Sequence, residues 1–435
     1  MPIRILHFSD AHIDMANYGR LDTESMLPVR VTDYLRSLDT VVTAAVREQA
    51  DLVLFGGDAY KDRNPQPTFQ REWHKRIMQL SQAGIPTLLL VGNHDVSPSY
   101  GRASTVAEFR TLQVPRVVVA DQIRLYGPEE LGVELEVITV PWVPRSHLMA
   151  RTDMAGRSVS EIYQALEERV VTAVEHLLDR TDSRRPTVLA AHASVVGAVY
   201  GSERAVMLGH ELVLPESLVR DPRLDYVALG HIHRHQDLNP GGHPPVVYAG
   251  SIERVDFGEA DQEKGYVLAQ VSRGQTDWRF VPLPTRKFLD LAVTPRQADT
   301  AMAEILGRLP PPDSIAGAVV RLQLTYPADW EAMIDDRALE QALAPALESR
   351  VIKNRQTETR VRLGDAVAVE ALAPPDLLSL YWRTIALELG ELEHLQGLGQ
   401  DIIRAVDQGP AETDGPDTSA ADQAPLAASV GKEGL

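Results

Sequence analysis

Arg4-Ile5-Leu6-His7-Phe8-Ser9-Asp10-Ala11-His12 and, far along the chain, Tyr226-Val227-Ala228-Leu229-Gly230-His231-Ile232-His233 share one grammar, an apolar run closed by a polar cluster. Three more stretches repeat it: Leu52 to Phe55 before Gly56-Gly57-Asp58, Thr87 to Val91 before Gly92-Asn93-His94-Asp95, and Thr187 to Ala191 before His192. Further β-rich runs lie at Arg116 to Val119, Glu134 to Val140 and Val246 to Tyr248. Amphipathic stretches at Val29 to Gln49, Thr68 to Ala83, Ala103 to Leu112 and Ser158 to Leu178 alternate with them. The alternation predicts a layered α/β domain. Open α/β sheets carry their sites beyond the carboxyl ends of their strands, which is where the clusters fall.

Singly, each block has a plain reading as a turn, a cap or a core imidazole. Asp10 and His12 stand at i and i+2 and share one face if the strand persists that far. Asp58 follows two glycines that let the backbone turn sharply. Asn93 offers a neutral oxygen, and His94 can donate a proton or hydrogen bond to a phosphate oxygen or leaving group, with Asp95 placed to orient it. His192 closes an apolar strand, and His231 and His233 repeat the i, i+2 spacing. Together, five such blocks in the order DxH, GD, GNHD, H and GHxH point to divalent metal held by His, Asp and Asn. Two divalent ions bring about +4, Asp10 and Asp58 return about −2, and the remainder suits a phosphodiester and a hydroxide at a two-metal site. Asp58 is the natural bridge.

The rest of the composition narrows the class. The 435 residues, 44% hydrophobic and 24% charged, suffice for two or three domains with cores of their own. A formal charge of −18 argues against bulk electrostatic coating of nucleic acid or anionic lipid, so any DNA contact is local. With no cysteine, disulfides, zinc knuckles and thiol nucleophiles are excluded. The N-terminal run has no signal-peptide apolar region, and no stretch is long enough to span a membrane, so a cytoplasmic, soluble protein is expected.

The strand-end blocks resemble the calcineurin-like metallophosphoesterase superfamily, whose motifs they match in order. Within it the chain is similar to the SbcD-type DNA-repair nucleases. That likeness rests on Phe8 to His12, Gly57-Asp58-Ala59-Tyr60-Lys61-Asp62-Arg63, the Gly230 to Gln236 run, and Tyr248-Ala249-Gly250-Ser251-Ile252-Glu253-Arg254-Val255-Asp256-Phe257-Gly258. The resemblance implies a layered β-sandwich flanked by helices, a small α+β capping domain and C-terminal helices. It implies that Asp10, His12, Asp58 and His233 hold one ion, that Asp58, Asn93, His192 and His231 hold the other, and that His94 is catalytic. Mn²⁺ is the implied ion. The implied activity is exonuclease on duplex ends plus endonuclease on single strands or hairpins, with a separate coiled-coil ATPase as partner and a homodimer through the catalytic domain. Where several relatives carry a second active-site His three residues after the bridging Asp, this chain has Lys61.

Strands Gly265 to Val271 and Trp278 to Leu283 close the first domain, placed at residues 1–285. Residues 286–370 read as a capping domain: strand, helix Arg296 to Arg308, strand Val319 to Thr325, helix Arg337 to Leu347, strand Val351 to Leu363. Residues 371–406 read as a helical docking segment, and 407–435, with six acids against one lysine, as a disordered acidic tail. Candidate DNA contacts are Lys61 and Arg63, with Arg71, Lys75 and Arg76 behind them, and Arg350, Lys353, Arg355, Arg360 and Arg362 in the capping domain. No GxxxxGK[ST] occurs, so an ATPase must be another chain. A metallophosphoesterase acting on a small phosphodiester or a phosphoprotein is the alternative, and a scaffold with a vestigial site the third reading.

Overall fold

Side chains in the central strands alternate between two cores, so both faces of each strand are apolar. In β2 (Leu52–Phe55), Leu52 and Leu54 face one core while Val53 and Phe55 face the other. In β7 (Thr187–His192) and β10 (Tyr226–Gly230), Val188, Ala190, Tyr226 and Ala228 join Leu52 and Leu54, whereas Leu189, Ala191, Val227 and Leu229 face away. Strands buried on both faces require two sheets packed on each other and covered outside by helices.

The computed structural model, which describes residues 1–96, 103–143, 158–201, 212–356, 373–384 and 389–407, has this four-layer form. The remaining strands are β1 (Ile3–Phe8), β3 (Thr87–Leu90), β4 (Val117–Ala120), β5 (Arg124–Tyr126), β6 (Glu136–Val140), β8 (Ser194–Val195) and β9 (Val213–Leu214). After these come β11 (Gln236–Asp237), β12 (Val246–Tyr248), β13 (Gly265–Ser272) and β14 (Gln275–Pro282). One sheet runs β14-β13-β1-β2-β3-β4 and the other β11-β12-β10-β7-β6-β5, with β8 and β9 paired separately. β1 to β4 are mutually parallel, as are β6, β7, β10 and β12. Helices Val29–Arg47 and Pro67–Gln82 cover the first sheet through Val31, Tyr34, Leu38, Trp73 and Ile77. Helix Val159–Leu178 covers the second and starts at a capping box in which Ser158 Oγ accepts from Glu161 N and Glu161 accepts from Ser158 N.

A three-stranded sheet of β15 (Phe288–Val293), β16 (Val319–Pro327) and β17 (Glu348–Gln356), with helices Ala301–Arg308 and Asp336–Leu343, has a core of its own around Ile305, Leu322, Leu324 and Leu339. It joins the first part through Phe257, Phe288 and Val319 and through Arg286, whose guanidinium forks onto Asp33 at 2.5 and 2.6 Å. Residues 1–355 form one compact unit. In the second unit, helices Pro374–Thr384 and Leu389–Asp407 leave Tyr381, Leu398, Ile402 and Val406 exposed. Among the described residues no helix is long and apolar enough to cross a membrane.

Three expected helices are shorter than their sequence patterns. Ala103 to Leu112 yields a single turn, Glu108–Thr111, because Thr105 is tied to Asp95 through both its N–H and its hydroxyl. Arg296 to Arg308 begins at Ala301, and Arg337 to Leu347 ends at Leu343, after which the chain turns into β17. The end of the strand expected to reach Leu363 lies outside the described residues, as does the tail from 408 on.

Candidate metal centre

Strand register sets the floor of the site. Phe8 pairs with Phe55 and Phe55 with Leu89 in one sheet, and His192 lies opposite Gly230 in the other, so within each sheet the carboxyl ends of these strands finish level. Just past those ends the backbone turns left-handed at Asp10 (φ 52°), His12 (φ 40°), Asp58 (φ 63°) and His231 (φ 97°). Side-chain-bearing residues avoid that region, and its concentration on four candidate ligands marks a site held in strain by its surroundings. The clamps are visible: Asp10 N donates to Gly57 O at 2.9 Å, Ala11 N to Asp58 O at 2.8 Å and Ile13 N to Ala59 O at 3.1 Å. The expectation that Asp10 and His12 share a strand face is therefore corrected. β1 ends at Phe8 and β10 at Gly230, and tight turns, not strand periodicity, aim both DxH and HxH. Gly57 sits at φ 103°, and a Cβ there would overlap His192 Nδ1, so only glycine admits the imidazole.

Asp10, His12 and His233 converge in one group able to hold a metal, and Asp10, Asp58 and His192 in a second, all five residues buried. Asp10 belongs to both groups; Asp58, the expected bridge, lies in the second. Asn93 joins the second group, its Oδ1 lying 3.0 Å from His192 Nε2 and 2.9 Å from His231 Nδ1. The structure thus brings all seven expected ligands together.

The donor set fits divalent ions. His12 Nδ1 donates to Tyr60 O at 3.2 Å and His233 Nδ1 to Glu259 Oε1 at 2.7 Å, which leaves each Nε2 with its lone pair. Those two Nε2 atoms face one another at 3.1 Å, an arrangement that a cation between or beside them would satisfy. His192 Nδ1 donates to Gly56 O at 2.7 Å, so its Nε2 faces Asn93 Oδ1 and, at 3.5 Å, Asp58 Oδ2. Converging imidazole nitrogens and carboxylate and amide oxygens, with no thiolate, make an oxygen and nitrogen cage for a hard or borderline cation. Burial pushes the Asp58 carboxyl up, but His192, His94 and His12 outweigh it and hold it well below the usual range. Burial lowers His192 while Asp58 raises it, with a net rise to about 9. Burial and the neighbouring His233 keep His12 well below its ordinary value.

His94 stands beside this cage, its ring centroid 5.2 Å from that of His12. Its Nδ1 donates to Lys61 O at 2.7 Å, and Lys61 Nζ donates to its Nε2 at 3.4 Å, so one residue grips both ring nitrogens. Burial lowers the His94 pKa, the Asp58 charge opposes it and the Lys61 charge lowers it further. Asp95 does not orient His94, which corrects that expectation. Its carboxylate points beneath the loops and accepts from Asp58 N (2.8 Å), Gly92 N (2.9 Å), Ala59 N (3.1 Å) and Thr105 Oγ1 (2.9 Å). Burial and the Asp58 charge raise its pKa to about 6.

Of the candidate DNA contacts, Lys61 lies in the site and Arg63 at its rim, where Nε donates to Asn93 O at 3.3 Å. Arg71, Lys75 and Arg76 all engage Glu72, which neutralises part of their charge. Arg355 forks onto Glu331 and Lys353 bridges Glu331 and Asp336, while Arg360 and Arg362 lie outside the described residues. Sequence reasoning missed Trp142, whose ring lies 5.1 Å from that of His231, and the Glu259–Lys264 pair behind His233. No spacing links these to the motifs: Glu259 and Lys264 enclose Ala260-Asp261-Gln262-Glu263, a polar run that gives no local sign of a buried pair.

A twelve-stranded double layer with a cage of buried His and Asp and a half-buried Asn at its strand ends defines a metal-dependent phosphoesterase, and the chain belongs to the calcineurin-like phosphoesterase family, whose model matches residues 3–235. It is accordingly a phosphodiester hydrolase of a family that works with divalent metals. More particularly, it is similar to SbcD of the SbcCD nuclease from Escherichia coli K12, 28% identical over 91% of this chain and 95% of that protein. It is also similar to SbcD of the SbcCD nuclease from Bacillus subtilis, 26% identical over 66% of this chain and 71% of that protein, and to the uncharacterised metallophosphoesterase YhaO of the same organism, 26% identical over 64% and 60%. Among solved structures, a dimetal phosphatase from Danio rerio matches 65% of this chain and 97% of its own at 10% identity and a TM-score of 0.41.

Proposed function

We propose that the protein is a Mn²⁺-dependent DNA nuclease, acting 3′ to 5′ on duplex ends and as an endonuclease on single strands or hairpins, within an SbcCD-like double-strand-break repair complex. The observation that carries the reading is the similarity to SbcD across 91% of the chain, joined to the acceptor cage at the strand ends. In this reading Asp10, His12, Asp58 and His233 hold one ion and Asp58, Asn93, His192 and His231 the other. Bound ions supply Lewis acidity toward the phosphoryl oxygens and acidify a water.

The chain's own residues do the rest. Left-handed turns and the Asp95 tie hold the ligands in place, so little reorganisation accompanies reaction. With Nδ1–H committed to the Lys61 carbonyl, His94 Nε2 receives a proton from the Lys61 ammonium and passes it to the leaving oxygen, and before that transfer the ammonium stabilises the phosphate charge. Lys61 replaces an imidazole by a point charge suited to phosphate, and Arg63 extends that cationic rim. Residues 286–370 serve as a capping domain, and 371–406 as the docking segment for a coiled-coil ATPase, with a homodimer formed through the nuclease domain.

Release of label from an end-labelled DNA duplex in Mn²⁺, compared with hydrolysis of bis-p-nitrophenyl phosphate, tests the proposal. Cleavage of both by the wild type and of neither by Asp58→Asn supports it. Cleavage of the small diester alone, even with the ATPase partner added, moves the function to another phosphodiester.

A further inference from the structure

Behind His233 lies an ion pair sealed from solvent. Glu259 and Lys264 are 0% and 1% exposed, and Lys264 Nζ stands 2.8 Å from Glu259 Oε2. Both members grip His233. Glu259 Oε1 accepts the imidazole Nδ1–H at 2.7 Å, while Lys264 Nζ donates to the His233 carbonyl at 2.9 Å. Their other hydrogen bonds fix the pair itself: Val255 N donates to Glu259 Oε2 at 2.8 Å, and Lys264 Nζ reaches Gln262 Oε1 at 2.9 Å. Glu259 ends a short 3₁₀ turn, Phe257–Glu259, that Phe257 anchors between Tyr18 and Phe288 with ring centroids 5.5 and 5.1 Å away.

Stability does not account for this arrangement. A buried ion pair is at best comparable with an apolar pair of the same volume, because desolvation of both charges offsets their attraction. What the pair does supply is a fixed acceptor at Nδ1 and a fixed main chain for one imidazole whose Nε2 faces His12 Nε2 at 3.1 Å.

We propose that Glu259 is a positioning residue for the ion shared by His12 and His233, and that Lys264 locks it. The Glu259 carboxylate holds His233 in the tautomer that turns the Nε2 lone pair towards His12 Nε2 and the metal position, and Lys264 secures both that carboxylate and the His233 backbone. The inference rests on the metal-centre reading above. It singles out a side effect of the amide isostere. In Glu259→Gln the amide oxygen is drawn to the position of Oε2, where the Lys264 ammonium and Val255 N both donate. The amide NH₂ then faces His233 Nδ1 and requires a lone pair there, which puts the proton on Nε2, where the ion belongs. The variant keeps volume and the Lys264 contact but reverses the tautomer.

The test is Mn²⁺ titration of the metal-free full chain, with free Mn²⁺ followed by electron paramagnetic resonance, alongside thermal melting of the metal-free protein. Wild type is expected to bind two ions, and Glu259→Gln to bind one of them about 10–100-fold more weakly, the cost typical of losing an outer partner of a ligating His. The other ion is bound as in wild type, while the metal-free melting temperature falls, because Lys264 keeps its hydrogen bond but loses its counter-charge. Glu259→Leu combined with Lys264→Met, which replaces the pair by apolar groups, covers the case in which the amide misfolds, and is expected to weaken the same ion. If either variant folds as wild type and binds both ions as tightly, the inference is overturned. If wild type itself binds no Mn²⁺, the metal-centre reading fails and this inference falls with it.

Discussion

A methyl group at position 92 has nowhere to go. A Cβ built on Gly92 would overlap Asp58 Oδ1 and lie 2.6 Å from Asp58 N and 2.7 Å from His192 Cε1. Neither neighbour can yield cheaply, since Asp58 Oδ1 accepts from His94 N at 2.8 Å and Asp58 N donates to Asp95 at 2.8 Å. Relief to ordinary contact means moving Asp58, His192 or the loop by about an ångström, a displacement that typically costs about 10²-fold in rate. Overpacking of this kind costs about 1–3 kcal/mol in stability, tolerable for a domain of this size. Gly92→Ala is therefore expected to fold, to lose about 100-fold in diester turnover and to bind its ions more weakly. Gly307→Ala is the control: nothing lies within 4 Å of its Cβ, and as a helical glycine it should gain roughly 0.5–1 kcal/mol with activity unchanged. Turnover and ion binding of Gly92→Ala within twofold of wild type would refute the claim that the glycine floor sets the ligand geometry.

Three further outcomes follow from the contacts. His94→Ala should lower turnover by about 10²–10⁴-fold with metal content unchanged, measured by elemental analysis beside kinetics; loss of metal instead would make His94 a ligand. Asp95→Asn should cost about 1–3 kcal/mol in urea unfolding of the metal-free protein, because an amide presents hydrogens to donors that now meet a carboxylate; an unchanged midpoint would remove its role as the loop tie. Arg286→Ala removes the forked partner of the buried Asp33, which keeps Arg30 at 2.9 Å, and should cost about 1–3 kcal/mol, seen as a lower melting temperature and faster proteolysis between β14 and β15.

The strand-end clusters were legible because apolar runs and metal-seeking side chains are both local signals: β1, β2, β3, β7 and β10 all stand where the sequence places them, each followed by its block. What the chain does between strand and ligand was not. Nothing in Ser9-Asp10-Ala11-His12 announces left-handed turns, since those are imposed by carbonyls of residues 57 to 59 that arrive from another strand. The partner of His94 is likewise a backbone carbonyl, Lys61 O, invisible to any reading of side-chain types and spacing. Asp95 looked like an orienting carboxylate because it is adjacent in sequence, yet its four donors come from the loops after β2 and β3 and from Thr105. Short edge strands such as β5 and β11 escaped because two or three residues carry no periodicity.

Anomalous diffraction at the manganese edge, from crystals of the wild-type chain soaked in Mn²⁺, decides whether the strand-end cage holds two ions. Two peaks are predicted, roughly 3.5–4 Å apart, one against Asp10, His12 and His233 and one against Asp58, Asn93 and His192. No anomalous density among these residues, with manganese present in the crystal, would contradict it.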